Sequence, residues 1–360
     1  MAIALTTWLA SFLIVVLWIL LHFKRLDSWC VYAGSATRWS ARQPLYSSGI
    51  DGFQYLPQAA LVFGAFAKLG VPLGDLAWRA VTWALLAHAV WRSTTLLSSQ
   101  GTKPRFLVAT ALVVGPAMSS LLTGQANLAT AGLMLHAAVD LCNGRWWRAT
   151  AWMILGLAVK PIMAAMILLA CVSRPRIVPG IAVGLLLLAL VPFALAPANY
   201  VLAEYRAWLA KLVASSAPDR FFEDLRGLLH SIGVAVPHRV LGVVRLLGAL
   251  GAALLCLDIR RRWREPEAGL LLFAVAGTYL MLFNPRTQPN SYVILVPAVA
   301  LAAALYLLQE RYRAAAALML IAASWSGTTT LTALWLKPLT CLIFCGLLVR
   351  EILREELLLL

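Results

Sequence analysis

The sequence contains few charged residues, and few of those are acidic. Charged side chains make up 12% of the 360 residues, with 15 acidic residues against 30 lysines and arginines. A soluble domain carries roughly 25% charged residues, so the composition excludes an ordinary soluble enzyme or binding domain. Hydrophobic residues reach 62% and the mean hydropathy is +0.83. These values are typical of a polytopic membrane protein.

Cysteine and histidine are also scarce, and neither has the spacing of a metal site. The six cysteines include no Cys-x-x-Cys pair, and the five histidines form no metal-ligand pattern. No glycine-rich phosphate loop precedes a helix in a strand-helix unit. We therefore expect no metal and no cofactor, and a soluble nucleotide-binding domain is not indicated. The net charge of +15 lies largely in short arginine-rich segments that membrane topology explains, so no nucleic acid partner is expected either.

Apolar runs of membrane-spanning length fill most of the chain. Runs of about 17 to 25 residues leave room for about ten to twelve transmembrane helices. No linker or internal repeat divides them, so we predict one all-α integral membrane domain over residues 1–360. The first run, residues 4–21, is followed by Phe23-Lys24-Arg25 and by no small-residue cleavage site, and we expect it to be retained as the first span.

Arginine clusters predict which ends of the helices face the cytoplasm. The clusters lie in residues 103–105, 143–148, 174–176, 260–264, 311–313 and 350–354. Lysine and arginine in short loops mark the cytoplasmic side, so we place all six clusters there, together with both termini. They can share one side only if residues 146–176 enter the membrane and return as two short helices that meet near Lys160-Pro161. Lys160 would then lie at the bottom of a cavity that opens to the outside.

The same assignment predicts that the polar segments face outward. They are a first outer loop over residues 24–74 with juxtamembrane helices, the polar segment 123–127, a second outer loop over residues 198–237, and the late loop 284–291. Residues 53–70 are apolar enough to enter the lipid, and we expect a surface or partly re-entrant helix there because a full crossing would reverse every later span. Residues 215–226 predict an amphipathic helix on the lipid surface, with a substrate lid as the alternative.

Polar side chains inside apolar runs are the first candidates for a functional site, because they cost free energy in lipid unless they pair or face water. Gln125 and Asn127 could instead hold neighbouring helices together. Lys160 has no acid within a helical turn, so it either snorkels to the outer surface or pairs with an anionic ligand. Arg286 either caps a helix end or binds an anion. Two outward cations beside amide side chains suit a phosphate group.

Two acids of the first outer loop have ordinary explanations when they are judged by position alone. Asp27 directly follows the first span, where an acid usually caps or solvates a helix end. Asp51 lies in Ser47-Ser48-Gly49-Ile50-Asp51-Gly52, which is typical of a turn. Position therefore assigns neither of them a catalytic role.

The order of these motifs resembles that of glycosyltransferase family 87. The residues that carry the resemblance are Asp27 and Tyr32, Tyr46, Phe53-Gln54-Tyr55-Leu56-Pro57, Gly124-Gln125-Ala126-Asn127, Lys160-Pro161 and Asn284-Pro285-Arg286. The resemblance covers residues 20–300, and its most specific part is Gly-Gln-x-Asn followed by Lys-Pro. The sequence departs from the family at Tyr55-Leu56-Pro57, where members often have Tyr-Pro-Pro. It departs again in the late loop, which lacks the family's Ser-Pro and histidine, so the donor or the acceptor could differ.

The resemblance implies a GT-C-type fold. It also implies a glycosyltransferase that takes a sugar from a polyprenyl phosphate with inversion at the anomeric carbon and that does not require a metal ion. Mannose is the first expectation for the sugar, with arabinose and glucose open, and the acceptor would be a glycolipid or polysaccharide outside the bacterial plasma (inner) membrane. Asp27 matches the family's outer-loop carboxylate and is the expected general base, while Lys160 and Arg286 would bind the donor phosphate. Substrate contacts are expected from Asp51, Tyr55, Gln125, Asn127, Asn284, Gln288 and Asn290.

A transporter or lipid flippase is the alternative from a different functional class. Such a protein would also place polar residues and broken helices in the middle of the membrane. It is expected to have two matching halves with interrupted helices at corresponding positions, and the sequence contains no such repeat. The polar loops instead gather on one predicted face, which favours the transferase.

Overall fold

A computed structural model describes residues 1–21, 28–47, 51–96, 102–215, 220–263, 265–329 and 331–354. These residues form helices and connecting turns, and no β-strand occurs among them. The helices are α1 (Ala2–Leu21), α2 (Ser28–Ser40), α3 (Pro57–Ala67), α4 (Leu73–Leu96), α5 (Thr102–Leu122), α6 (Asn127–Cys142), α7 (Trp146–Val159), α8 (Met163–Ser173), α9 (Val178–Leu195), α10 (Ala198–Ser215), α11 (Leu225–Ser231), α12 (His238–Arg262), α13 (Glu265–Phe283), α14 (Val296–Leu308), α15 (Tyr312–Ser324) and α16 (Leu336–Arg354). Short 3₁₀ helices at Pro175–Ile177 and Pro289–Ile294 precede α9 and α14.

Several helices have the length and composition of membrane spans. Among the described residues these are Ala2–Leu21, Thr102–Leu122, Pro175–Leu195 and His238–Arg262. Shorter apolar helices pack against some of them, with α14 against α5 and with α8 and α13 against α12. Every residue of α6 is buried. The prediction of an all-α polytopic membrane protein is confirmed.

Helix α4 is as long as a span but carries buried charges. Arg79 donates from Nε to Asp75 Oδ1 at 2.8 Å, one turn earlier in the helix. Arg92 donates from Nη2 to Asp140 Oδ1 of α6 at 2.6 Å. Because these charges are paired inside the bundle, the helix can lie among apolar neighbours despite its lower hydropathy.

The chain folds so that the polar segments meet at one end of the bundle, which we call the site end. The Ser28 N–H at the start of α2 donates to Thr123 O at the end of α5 (3.0 Å). The Ala126 N–H donates to the Tyr32 hydroxyl (3.1 Å). Lys337 at the start of α16 donates to Pro289 O (2.9 Å). The first turn of α2 and the ends of several bundle helices therefore lie together.

The arginine clusters lie at the opposite end, which we call the arginine end. Asp140 is fully buried near the end of α6 and accepts a hydrogen bond from Trp152 Nε1 (2.7 Å). Arg148, in the first turn of α7, lies 3.5 Å from its carboxylate. This buried acid ties α4, α6 and α7 together at the arginine end.

Residues 146–176 form the two short helices that the sequence predicts. Helix α7 ends at Val159 and α8 begins at Met163, so the two are about 21 Å and 16 Å long. Lys160 lies between them in an extended conformation, with φ −150° and ψ 124°. The proline at position 161 explains this conformation, because the residue before a proline is disfavoured in a helix. The Lys160 side chain reaches Asn127 at the first residue of α6, so the break belongs to the site end.

The first loop contains α2 and α3, which pack on each other. Tyr32 of α2 stacks on Phe63 of α3 with ring centroids 4.2 Å apart. Trp78, in the first turns of α4, donates from Nε1 to Gly124 O (2.9 Å). Helix α4 therefore starts at the site end, where α2 also starts. Residues 53–70 hold one short helix at this end and do not cross the bundle.

The prediction of an amphipathic helix over residues 215–226 is wrong for residues 220–224, while residues 216–219 lie outside the described part of the chain. Helix α10 ends at Ser215 and α11 begins at Leu225, while residues 220–224 are not helical. The Glu223 N–H donates to Thr287 O (2.9 Å), and the Asp224 carboxylate accepts from the Gly227 N–H (2.9 Å) as the N-cap of α11. Glu223 thus bonds to the late loop and Asp224 caps α11, instead of both residues continuing a helix.

Candidate functional site

The polar segment 123–127 forms the turn between α5 and α6. Gly124 has φ +63°, in the left-handed region that favours glycine. A Cβ atom at this position would lie 2.9 Å from Arg79 Nη2. Arg79 is fully buried and also donates from Nη1 to Leu121 O. The turn therefore requires glycine both for its backbone conformation and for its contact with Arg79.

Gly124→Ala is expected to lower the free energy of unfolding by more than the backbone effect alone. A left-handed alanine costs about 1–2 kcal/mol, and the clash with Arg79 adds to this cost. Gly70→Ala is the matched control, because Gly70 has φ +75° and nothing within 4 Å of an added Cβ. Thermal unfolding of both purified variants measures the difference. Equal losses would show that the Arg79 contact contributes nothing.

An amide network joins the polar segment 123–127, the helix break and the late loop. Gln125 Nε2 donates to Gln288 Oε1 (2.9 Å), and Asn127 Nδ2 donates to Asn290 Oδ1 (3.1 Å). Lys160 Nζ donates to Asn127 Oδ1. Residues that are far apart in the sequence therefore meet at one place. The Asn127 amide oxygen holds the ammonium group of Lys160 in position there.

Tyrosines of the first loop form the neighbouring part of the site. The hydroxyls of Tyr32 and Tyr55 lie 3.0 Å apart, and Tyr46 donates from its hydroxyl to Tyr55 O (2.7 Å). Since Tyr32 also accepts from the Ala126 N–H, it fixes the first loop against the polar segment 123–127. Tyr55 is thereby connected through Tyr32 to the polar segment 123–127.

A cavity of about 400 Å³ opens at this place. It is lined by seven of the predicted site residues, namely Asp51, Tyr55, Gln125, Lys160, Asn284, Arg286 and Gln288. Asn127 and Asn290 are buried behind this lining, where they hold Lys160 and the late loop in place. Asp27 lies outside the described residues. Its neighbour in the sequence, Ser28, lines the cavity.

The cavity is also lined by two cations, Lys211 and Arg220, that were not among the predicted site residues. Lys211 of α10 donates from Nζ to Ser47 O (3.0 Å) and to Asp51 O (2.5 Å). Arg220 donates from Nη2 to Asp51 Oδ1 (2.7 Å). Both line the cavity with Lys160 and Arg286. Lys211 lies in the predicted second outer loop, and Arg220 lies in the segment 215–226, for which a substrate lid was the alternative interpretation. These were the only signals in the sequence that pointed to the site.

The described lining is strongly cationic, with four basic side chains and the single carboxylate of Asp51. Burial lowers the pKa of Arg286, and the neighbouring Arg220 lowers it further. Burial likewise lowers the pKa of Lys211, with an added effect of Arg286 that Asp51 opposes. Burial is the larger cause of both shifts, and repulsion from a neighbouring arginine adds to it. An anion bound in the cavity would relieve this repulsion.

A buried ion pair supports the late loop from behind the cavity. Lys337 Nζ lies 3.6 Å from Glu223 Oε2, and both side chains are almost fully buried. Lys337 also donates to Pro289 O (2.9 Å), and Tyr292 donates from its hydroxyl to Glu223 O (3.0 Å). These bonds hold the segment between Arg286 and Asn290 against α16 and the second loop.

Lys337→Met is expected to lower the free energy of unfolding by about 3–5 kcal/mol, because it leaves the Glu223 carboxylate buried without its partner. The double variant Glu223→Gln/Lys337→Met removes both charges and should recover most of this loss. Thermal unfolding of the wild type, both single variants and the double variant forms a complete cycle. Additive losses across the cycle would contradict the pairing.

Comparison with known proteins identifies a family. The family model of glycosyltransferase family 87 matches residues 53–285. The match begins in the first loop and ends in the late loop, so it contains α3 to α13, the polar segment 123–127 and the helix break. No curated protein and no solved structure is significantly similar to the chain.

Proposed function

Because this membrane protein belongs to glycosyltransferase family 87, with a match over residues 53–285, we propose that it transfers a sugar, first of all mannose, from a polyprenyl phosphate to a glycolipid or polysaccharide. The observation that carries the proposal is the cavity at the site end. It combines the cations Lys160 and Arg286 with the amides of Gln125 and Gln288. Cations suit the donor phosphate, and amides suit sugar hydroxyls.

The proposed reaction is a direct displacement at the anomeric carbon. Asp27 accepts the proton of an acceptor hydroxyl, whose oxygen forms the new glycosidic bond. The bond between the anomeric carbon and the phosphate oxygen breaks with inversion, and the polyprenyl phosphate leaves with its bonding electrons. The leaving phosphate gains a negative charge during this step, and fixed cations stabilise such a charge most when it develops in a site shielded from water.

Asp27 is preferred to Asp51 as the general base. The Asp51 carboxylate lines the cavity but is already bound by Arg220 at 2.7 Å, and its side chain is 76% exposed. Asp27 directly precedes Ser28 in the sequence. The Ser28 N–H donates to the carbonyl oxygen of Thr123, which is two residues before Gln125. The resemblance to the family supplies the expectation of an acid at Asp27.

The proposed orientation places the site end on the outer face of a bacterial plasma membrane. The arginine clusters lie at the other end of the bundle, and arginine in short loops marks the cytoplasmic side. Residues 24–74 and 198–237 would then be the two outer loops, and both termini would be cytoplasmic. An acceptor and a lipid-linked donor would both reach the cavity from the outer leaflet.

Transfer from a defined donor tests this proposal. The purified protein in liposomes is incubated with polyprenyl phosphate carrying radiolabelled mannose, arabinose or glucose, and with extracted membrane glycolipids or polysaccharide. We expect label to become covalently attached to an acceptor from one of these donors. Label that crosses the bilayer without a new bond would instead identify a transporter, and a complete lack of transfer from all three donors would contradict the proposed donor class.

A further inference from the structure

A second cavity lies at the arginine end, between α13, α14, α15 and α16. Its volume is about 140 Å³, and most of its lining is apolar. The apolar part extends into the bundle along Leu270, Phe273, Leu301, Leu318 and Phe344. This cavity is separate from the proposed sugar-transfer site, because it lies at the arginine end of the bundle and the sugar-transfer site lies at the site end.

Polar residues gather where this cavity meets the surface of the bundle. Arg311 and Arg350 line it and are exposed. Tyr306 donates from its hydroxyl to Glu351 Oε1 (2.9 Å), and the Arg311 guanidinium lies 4.3 Å above the Tyr306 ring. The Glu351 side chain, which accepts this hydrogen bond, is buried. Among the described residues, the lining of the mouth therefore has two arginines and one glutamate, and its interior is apolar.

We propose that this cavity binds an anionic phospholipid, with the headgroup phosphate between Arg311 and Arg350 and part of one acyl chain among α13 to α16. A free phosphate ion would not use the apolar interior, and an uncharged lipid would not use the arginines. Guanidinium groups match the oxygens of a phosphate with paired hydrogen bonds. Basic pockets between membrane helices are typical of sites for anionic headgroups.

Native mass spectrometry of the full chain tests the proposal. The protein is stripped of lipid and titrated with phosphatidylglycerol and, separately, with phosphatidylcholine of the same acyl chains. We expect the wild type to retain phosphatidylglycerol more strongly. In Arg311→Gln/Arg350→Gln the apparent affinity for phosphatidylglycerol should fall by about tenfold or more, because bonds to a charged group are lost. Arg261→Gln is the matched control, since Arg261 is an exposed residue of the same end and lies outside the cavity.

A second variant tests the apolar half of the site. Ala302→Phe fills the cavity without changing a charge, because Ala302 is part of its lining. It should also lose phosphatidylglycerol, with thermal unfolding used to confirm that the variant is folded. Equal retention of the two lipids by the wild type, unchanged retention by the double arginine variant, or a dimer in place of lipid adducts would each overturn the proposal. None of these measurements depends on sugar transfer.

Discussion

Asp27→Asn is expected to lower sugar transfer by about 10²- to 10⁴-fold, the range for loss of a general base. Asparagine keeps the size and most hydrogen-bonding ability of the side chain but cannot accept the proton of the acceptor hydroxyl. Donor binding should stay near that of the wild type, because the proposed phosphate contacts come from Lys160 and Arg286. The effect should therefore be on kcat more than on KM.

Asp51→Asn is the matched control for this prediction. It makes the same chemical change at another acid of the cavity, where it removes an exposed ion pair with Arg220. Exposed pairs contribute about 0–1 kcal/mol, so we expect at most a several-fold loss. Initial rates of transfer from polyprenyl phosphate mannose measure both variants. If Asp27→Asn retains near-normal transfer and Asp51→Asn abolishes it, the base is Asp51.

Lys160→Met is expected to lower kcat/KM by about 10²- to 10³-fold, the effect of removing one donor from a developing negative charge. The variant should remain folded, because it removes a charge from the interior and leaves only the Asn127 oxygen without a donor. Binding of polyprenyl phosphate, the product that carries the greater charge, should weaken as well.

Binding of farnesyl phosphate to purified protein separates this effect from misfolding. Lys160→Arg keeps the positive charge and should retain part of the affinity, while Lys68→Met serves as the matched control because Lys68 is exposed and lies outside the cavity. Thermal unfolding of each variant provides the measure of stability. Wild-type affinity in a folded Lys160→Met variant would remove Lys160 from the phosphate site.

The sequence predicted those parts of the fold that depend on local rules. The arginine clusters at both ends of residues 146–176 predicted two short helices that meet near Lys160-Pro161, and Pro161 explains why Lys160 before it takes an extended conformation. The arginine clusters predicted which helix ends lie together. Given these two rules, Lys160 had to lie on the same side as Gln125 and the late loop, as the structure confirms.

The parts that the sequence missed depend on contacts between distant segments. For Asn127 the sequence left open a substrate contact and a role in holding helices together, but its partners Lys160 and Asn290 could not be named from any local pattern. Lys211 was not among the predicted site residues, and only the fold places its amine on the backbone of Ser47 and Asp51. No local pattern distinguishes such residues, because their roles are set by partners more than one hundred residues away in the chain.

A structure of the protein with polyprenyl phosphate bound tests the central claim most directly. The account predicts that the phosphate lies in the cavity at the site end, within hydrogen-bond distance of Lys160 Nζ and beside Arg286, with the Asp27 carboxylate facing the position of the anomeric carbon. A phosphate bound at the arginine end, or outside the cavity and away from Lys160, would contradict it.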